Sequence, residues 1–124
     1  MKVIATKNAP AAVGPYSQAI DCSDTVYCSG QIPLDPQTGA VVEGGLEAQA
    51  HQMFRNVKAV LAEAGLGLEN VVKTTVFMTD LGQFGAFNAI YAEYFAEPYP
   101  ARSCVEVSAL PKGVLVECEV IARR

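Results

Sequence analysis

Histidine occurs once in this 124-residue chain, charged side chains make up only 18% of it, and lysine and arginine together number nine. Each shortage removes a class of function. His51 alone, on the polar side of an expected helix, cannot support Ser-His-Asp or Cys-His machinery or a histidine-rich metal centre, and it is expected to face solvent. Thirteen acidic residues outnumber the basic ones for a net charge of −4. That leaves no basic face to release counterions from nucleic acid, so nucleic acid is not expected as a partner. Cys22, Cys28, Cys104 and Cys118 show no C-x-x-C spacing, and they read as reduced, small buried hydrophobes of a cytosolic protein. No apolar run approaches the ~18 residues that span a bilayer, and the start of the chain has no signal-peptide core. A cytoplasmic location without membrane contact is therefore expected. Gly14-Pro15-Tyr16 and Gly44-Gly45 form neither a Walker loop nor the three-glycine dinucleotide fingerprint, so no nucleotide cofactor is indicated.

What the chain has is apolar surface, with hydrophobic residues at 51%. A chain of this length forms one domain, residues 1–124, and small domains have too much surface to hide such a share alone. A ligand groove or partner subunits should cover the remainder, and an oligomer is expected. No repeat or low-complexity linker divides the chain.

Apolar periodicity predicts a helix over residues 46–64, with Leu46, Ala50, Met53, Val57, Leu61 and Ala64 on one stripe and Gly65 as its stop. A second helix is expected after Asp80, whose side chain can cap it while Gln83 completes a capping box, and Pro98 marks its end. Its stripe is Phe84, Phe87, Tyr91, Tyr94 and Phe95. Asn88 lies inside that stripe, where its amide needs either a neighbouring backbone or subunit or a substrate as partner.

Residues 25–29, 71–78, 103–109 and 114–122 read as strands. Leu110-Pro111-Lys112-Gly113 suits a type I turn and predicts that the last two form a hairpin, with Val105 opposite Cys118 and Glu106 opposite Glu117. Side-chain alternation would then put Val105, Val107, Val116, Cys118 and Val120 beneath the helices, and Arg102, Cys104, Glu106, Glu117 and Glu119 on the other face. Two opposed glutamates repel. That face is either a solvated surface with splayed carboxylates or, if a subunit covers it, a carboxylate-and-arginine site.

Several separate motifs stand in one order: Gly14-Pro15-Tyr16-Ser17-Gln18-Ala19; Ser29-Gly30-Gln31-Ile32-Pro33 with Asp35-Pro36-Gln37-Thr38-Gly39; Lys73-Thr74-Thr75-Val76-Phe77; Phe87-Asn88; Pro100-Ala101-Arg102-Ser103-Cys104-Val105-Glu106-Val107; then Leu110-Pro111 and Val116-Glu117. Over nearly its whole length the chain resembles the Rid family (reactive intermediate deaminases, also called YjgF), most closely its RidA subgroup. The resemblance implies a chorismate-mutase-like α+β fold, a mixed and mostly antiparallel sheet with two helices on one face. It implies a homotrimer whose sheets join in a central barrel, with active sites between subunits. It further implies hydrolysis of 2-imino acids, such as 2-iminopropanoate and 2-iminobutanoate, to 2-keto acids and ammonia without metal or organic cofactor. Such imines arise from the enamines that pyridoxal-phosphate dehydratases release from serine and threonine. The family's substrate-carboxylate arginine falls on Arg102 and the glutamate of its hydrolytic water on Glu117. Its other substrate-binding positions fall on Tyr16, Ser29, Gly30, Asn88 and Cys104. The segment 96–101 looks shorter than in some RidA members.

These assignments suit the chemistry. Guanidinium alone meets a planar carboxylate with two parallel hydrogen bonds, and a protonated imine needs only a poised water and a group to move protons. Burial and Glu106 would raise the pKa of Glu117 and Arg102 would lower it, leaving open whether it serves as base or as proton donor. Cys104 has no histidine to make it a thiolate. The competing class is a non-catalytic trimer that binds keto acids or acts like a chaperone, in which Arg102 would hold a ligand without chemistry.

Overall fold

The computed structural model describes residues 1–124. Strands β1 (Lys2–Ile4), β2 (Ala19–Asp21) and β3 (Thr25–Gln31) precede helix α1 (Gly45–Glu63); β4 (Val71–Met78), helix α2 (Phe84–Tyr94), β5 (Ala101–Glu106) and β6 (Val116–Arg123) follow. All six strands join one sheet in the order β1-β2-β3-β6-β4-β5. Only β4 and β5 run parallel, and every other pair is antiparallel. The fold is the expected α+β one, with both helices packed on one face of the sheet. No helix is long and apolar enough to cross a membrane.

The expected hairpin between the last two strands does not form. β4 lies between them, pairing with β5 on one side and β6 on the other. The cause is the helix that links β4 to β5: a strand that returns through a helical crossover runs parallel to its predecessor and takes the place beside it. The turn at Leu110–Gly113 is tight, closed by Gly113 N–H donating to the Leu110 carbonyl at 3.1 Å, with Lys112 in the left-handed region at φ 57°. It nevertheless carries the chain past β4 rather than back along β5. β1 and β2, three residues each, carried no periodic signal in the sequence.

On α1 the expected stripe is buried, joined by Phe54 and Val60 and by two amides, Gln49 and Asn56. Gly65, at φ 76°, ends the helix as expected. Phe54 is fully buried and centres an aromatic cluster, with Phe87, Tyr91, Tyr94 and Phe95 rings 4.6–5.9 Å away. Before α2, Asp80 accepts from Gly82 N–H as a cap should, but Gln83 does not close the box. Glu106 serves the next backbone group instead, its Oε1 accepting from Leu81 N–H at 2.9 Å, a carboxylate where a helix start is electropositive. His51 is half-buried rather than solvent-facing, since its Nδ1 lies 2.7 Å from the Tyr94 hydroxyl.

The two buried amides of α1 tie down loops that flank the site described below. Asn56 Nδ2 donates to the carbonyls of Ile32 and Leu34, each at 3.0 Å, and Gln49 Oε1 accepts from Leu115 N–H at 2.8 Å. Removing such a partner leaves buried carbonyls unsatisfied, at ~1–3 kcal/mol each. Asn56→Ala should therefore lower the unfolding free energy by about 2–4 kcal/mol in a denaturant titration, whereas exposed Arg55→Ala should stay within about 0.5 kcal/mol of the parent.

Candidate functional site

Residues level with one another on neighbouring strands share a face of the sheet. Arg102, Cys104 and Glu106 on β5 are level with Thr74, Val76 and Met78 on β4, and these with Val120, Cys118 and Val116 on β6. All nine lie on the helix side. Glu117 and Glu119 are level with Phe77 and Thr75, and these with Val105 and Ser103, on the open side. The expected shared face of Arg102 and Glu117 is thus corrected: inserting β4 changes the register, and the two residues lie on opposite faces. Val105 moves to the open face as well, where it is 42% exposed. The expected opposition of Glu106 and Glu117 also disappears.

The open side holds one half of the site. Between Cys28 and Gln31 the β3–β6 register slips, so that Ser29 and Gly30 together stand opposite Glu119. Such a bulge re-aims side chains and twists the strand. The Glu117 carboxylate lies against Gly30, where a Cβ would sit 2.1 Å from its Oε1. Tyr16, Ser29, Gly30 and Glu117 line one cavity of about 500 Å³, walled further by Pro10, Val13, Leu34 and Pro111. Gln18, buried beneath the N-terminal wall, holds it in place through bonds to Thr6 N–H and to the carbonyls of Thr6 and Pro10. The Ser29 hydroxyl donates to the Ser17 carbonyl at 2.6 Å. Burial raises the Glu117 pKa, with Glu119 adding to the rise. Within one copy neither Glu106 nor Arg102 is among the causes, and the direction is upward.

The helix side holds the other half, at the β5 edge. The Arg102 guanidinium lies 4.7 Å from the Tyr91 ring centroid and 5.3 Å from that of Phe84, and its Nη1 donates to Asn88 Oδ1 at 2.7 Å. The ion pairs of the chain, Arg123 with Asp24 and Arg124 with Asp21, fasten the C-terminus and leave Arg102 without a carboxylate partner. Asn88 thus finds its partner in Arg102. Cys104 sits beside it, half-buried against the core, and burial raises its thiol pKa while the Arg102 charge opposes the rise. No three His, Cys, Asp or Glu side chains gather to hold a metal ion.

Phe84 and Tyr91 were legible as a helix stripe but not as partners of Arg102. The signal was their spacing about Asn88, which puts all three on one side of α2.

A family model described as endoribonuclease L-PSP matches residues 6–124. The chain belongs to this family, known also as Rid or YjgF. A RutC family protein of Synechocystis is 57% identical over 124 residues, 98% of this chain and 95% of that one. The 2-iminobutanoate/2-iminopropanoate deaminase of Salmonella typhimurium is 55% identical over 126 residues, 99% of this chain and 98% of that one. RidA from an Antarctic Psychrobacter has a TM-score of 0.96 at 48% identity, covering 100% of both chains. The Rid-family match takes in both halves of the site.

The contact between Gly30 and Glu117 can be tested in the Rid-family fold without any assay of activity. Gly30→Ala leaves an ordinary backbone conformation but pushes the carboxylate outward into water. Carbon-13 titration of the Glu117 carboxyl should then give a pKa below that of the parent, nearer the ordinary glutamate value.

Proposed function

We propose that the protein hydrolyses 2-imino acids, 2-iminopropanoate and 2-iminobutanoate among them, to 2-keto acids and ammonia, in sites formed between copies of the chain in a homotrimer. The observation that carries this reading is the separation of Arg102 and Glu117 on opposite faces of one sheet. One copy cannot apply both groups to a three- or four-carbon molecule. Arg102 of one copy and Glu117 of the next can. The name of the Salmonella relative supports the substrate class. The open sheet face, with Tyr27 51% and Val105 42% exposed, supports association.

In this reading Arg102 holds the substrate carboxylate and fixes the imine carbon in the cavity of the next copy. Tyr16, Ser29 and the backbone at Gly30 shape that cavity, while Asn88 and Cys104 belong to the arginine half. Water attacks the protonated C=N carbon as Glu117 takes its proton, giving a carbinolamine. The proton then passes to nitrogen, the freed Glu117 carboxylate takes the hydroxyl proton as the C–N bond breaks, ammonia leaves and the carbonyl forms. A carboxylate with a raised pKa is suited to both transfers, because its proton affinity lies nearer the working pH.

The test generates imine in place with a fresh serine or threonine dehydratase and follows keto-acid release. The protein should exceed the spontaneous rate; keto-acid binding with no acceleration overturns the reading. Activity should fall with falling pH at a higher pH than an ordinary glutamate would give, because the base form is lost as pH drops through a raised pKa. Arg102→Lys should lose at least about tenfold in kcat/KM, since a point charge cannot reproduce the guanidinium fork. Arg102→Ala and Glu117→Gln should each be nearly inactive, yet co-refolding equal amounts should restore about a quarter of wild-type activity, the share of sites that draw both intact groups from different copies. No recovery on mixing would remove the shared site.

A further inference from the structure

Arg102 sits on a strand whose outer edge is free in the protomer, with its side chain exposed. An exposed arginine ordinarily moves among many rotamers, and ordering it costs conformational entropy. Here each of its partners is neutral. Phe84, Asn88 and Tyr91 follow one another at i, i+4 and i+7 along α2, so they form a single row facing the strand. The guanidinium lies 4.7 Å and 5.3 Å from the two ring centroids, and Asn88 takes a proton of Nη1. Tyr91 is itself fixed from below: its hydroxyl lies 2.9 Å from Thr74 Oγ1, and Thr74, fully buried, is the β4 residue level with Arg102.

We propose that Thr74, Tyr91 and Phe84 are positioning residues that hold the Arg102 guanidinium before substrate arrives, leaving its Nε–Nη2 edge to receive a carboxylate side-on. This rests on Arg102 being the carboxylate anchor, and it adds how that anchor is set. The logic is electrostatic. A structural arginine is usually neutralised by an acid, which would compete with an incoming carboxylate. Aromatic faces and an amide oxygen restrain the cation without cancelling its charge. The Thr74–Tyr91 bond is the buried fastening that keeps the ring in that orientation, and Nη1 is already committed to Asn88. The edge carrying Nε and Nη2 is the one left whole.

The test uses the intact protein, nitrogen-15 labelled, with pyruvate as the carboxylate probe. The Arg102 Nε–Hε signal, assigned as the one lost in Arg102→Lys, should lie upfield of free arginine, shifted by the two ring faces. Pyruvate should move it downfield and saturate. Phe84→Leu, which keeps an apolar side chain where Phe84 packs partly against the core, should return the signal toward the free-arginine value and weaken pyruvate binding about two- to fivefold while the protein stays folded. Tyr91→Phe, which keeps the ring and drops the bond to Thr74, should broaden the signal with a smaller loss. An Hε at the free-arginine position in the wild type, or pyruvate affinity indifferent to Phe84→Leu, overturns the proposal. A wild-type protein that shows the shifted signal and the pyruvate response but does not speed imine hydrolysis keeps the proposal and loses the deaminase reading; one that hydrolyses imines with Hε at the free-arginine position does the reverse.

Discussion

The parallel pairing of β4 with β5 is the constraint on which the rest of the molecule turns. A parallel pair needs a crossover, and the crossover here is α2, so the helix lies over the strand it delivers. Three consequences come together. β6 is pushed to the far side of β4, Arg102 is brought under the aromatic row of α2, and Glu117 is left on the bare side of the sheet. The charge separation in the candidate site is thus a product of topology, with no special local geometry required to produce it.

The polar groups of the interior serve the same end. Gln18, Gln49 and Asn56 are buried amides that each bond the backbone of a loop, Asn56 also accepting from the Gln52 side chain. Loops without regular structure are the mobile parts of a fold, and those that carry a site need anchoring to something rigid. Here Gln49 and Asn56 belong to α1, which is buried along much of its length, and Gln18 immediately precedes β2 in the sheet. The cavity around Glu117 therefore has loop walls with the rigidity of the core behind them.

Much of this was legible from residues alone. The α1 stripe, its glycine stop, the aromatic row of α2 and the strand β4 all follow from period and propensity, because each is a long amphipathic segment. Arg102 and Glu117 stood out through the motifs around them. The hairpin expectation failed because turn chemistry at Leu110–Gly113 is local, whereas strand order is decided by the connection through α2, and tertiary pairing outweighed it. The strand-helix-strand order over residues 71–106 was the available cue to a parallel pair. His51 and Phe54 were misplaced or passed over for a related reason: a helix packed against both a sheet and a second helix buries more than one stripe, and α1 does so.

Gly30 shows how little a site can be made of. A carbon atom absent from one strand opens the space in which the carboxylate of another comes to rest, out of reach of much of the surrounding water. The acidity of Glu117 is accordingly a property of two positions rather than one. Any side chain at position 30 would rewrite the chemistry of position 117 while leaving the hydrophobic core untouched.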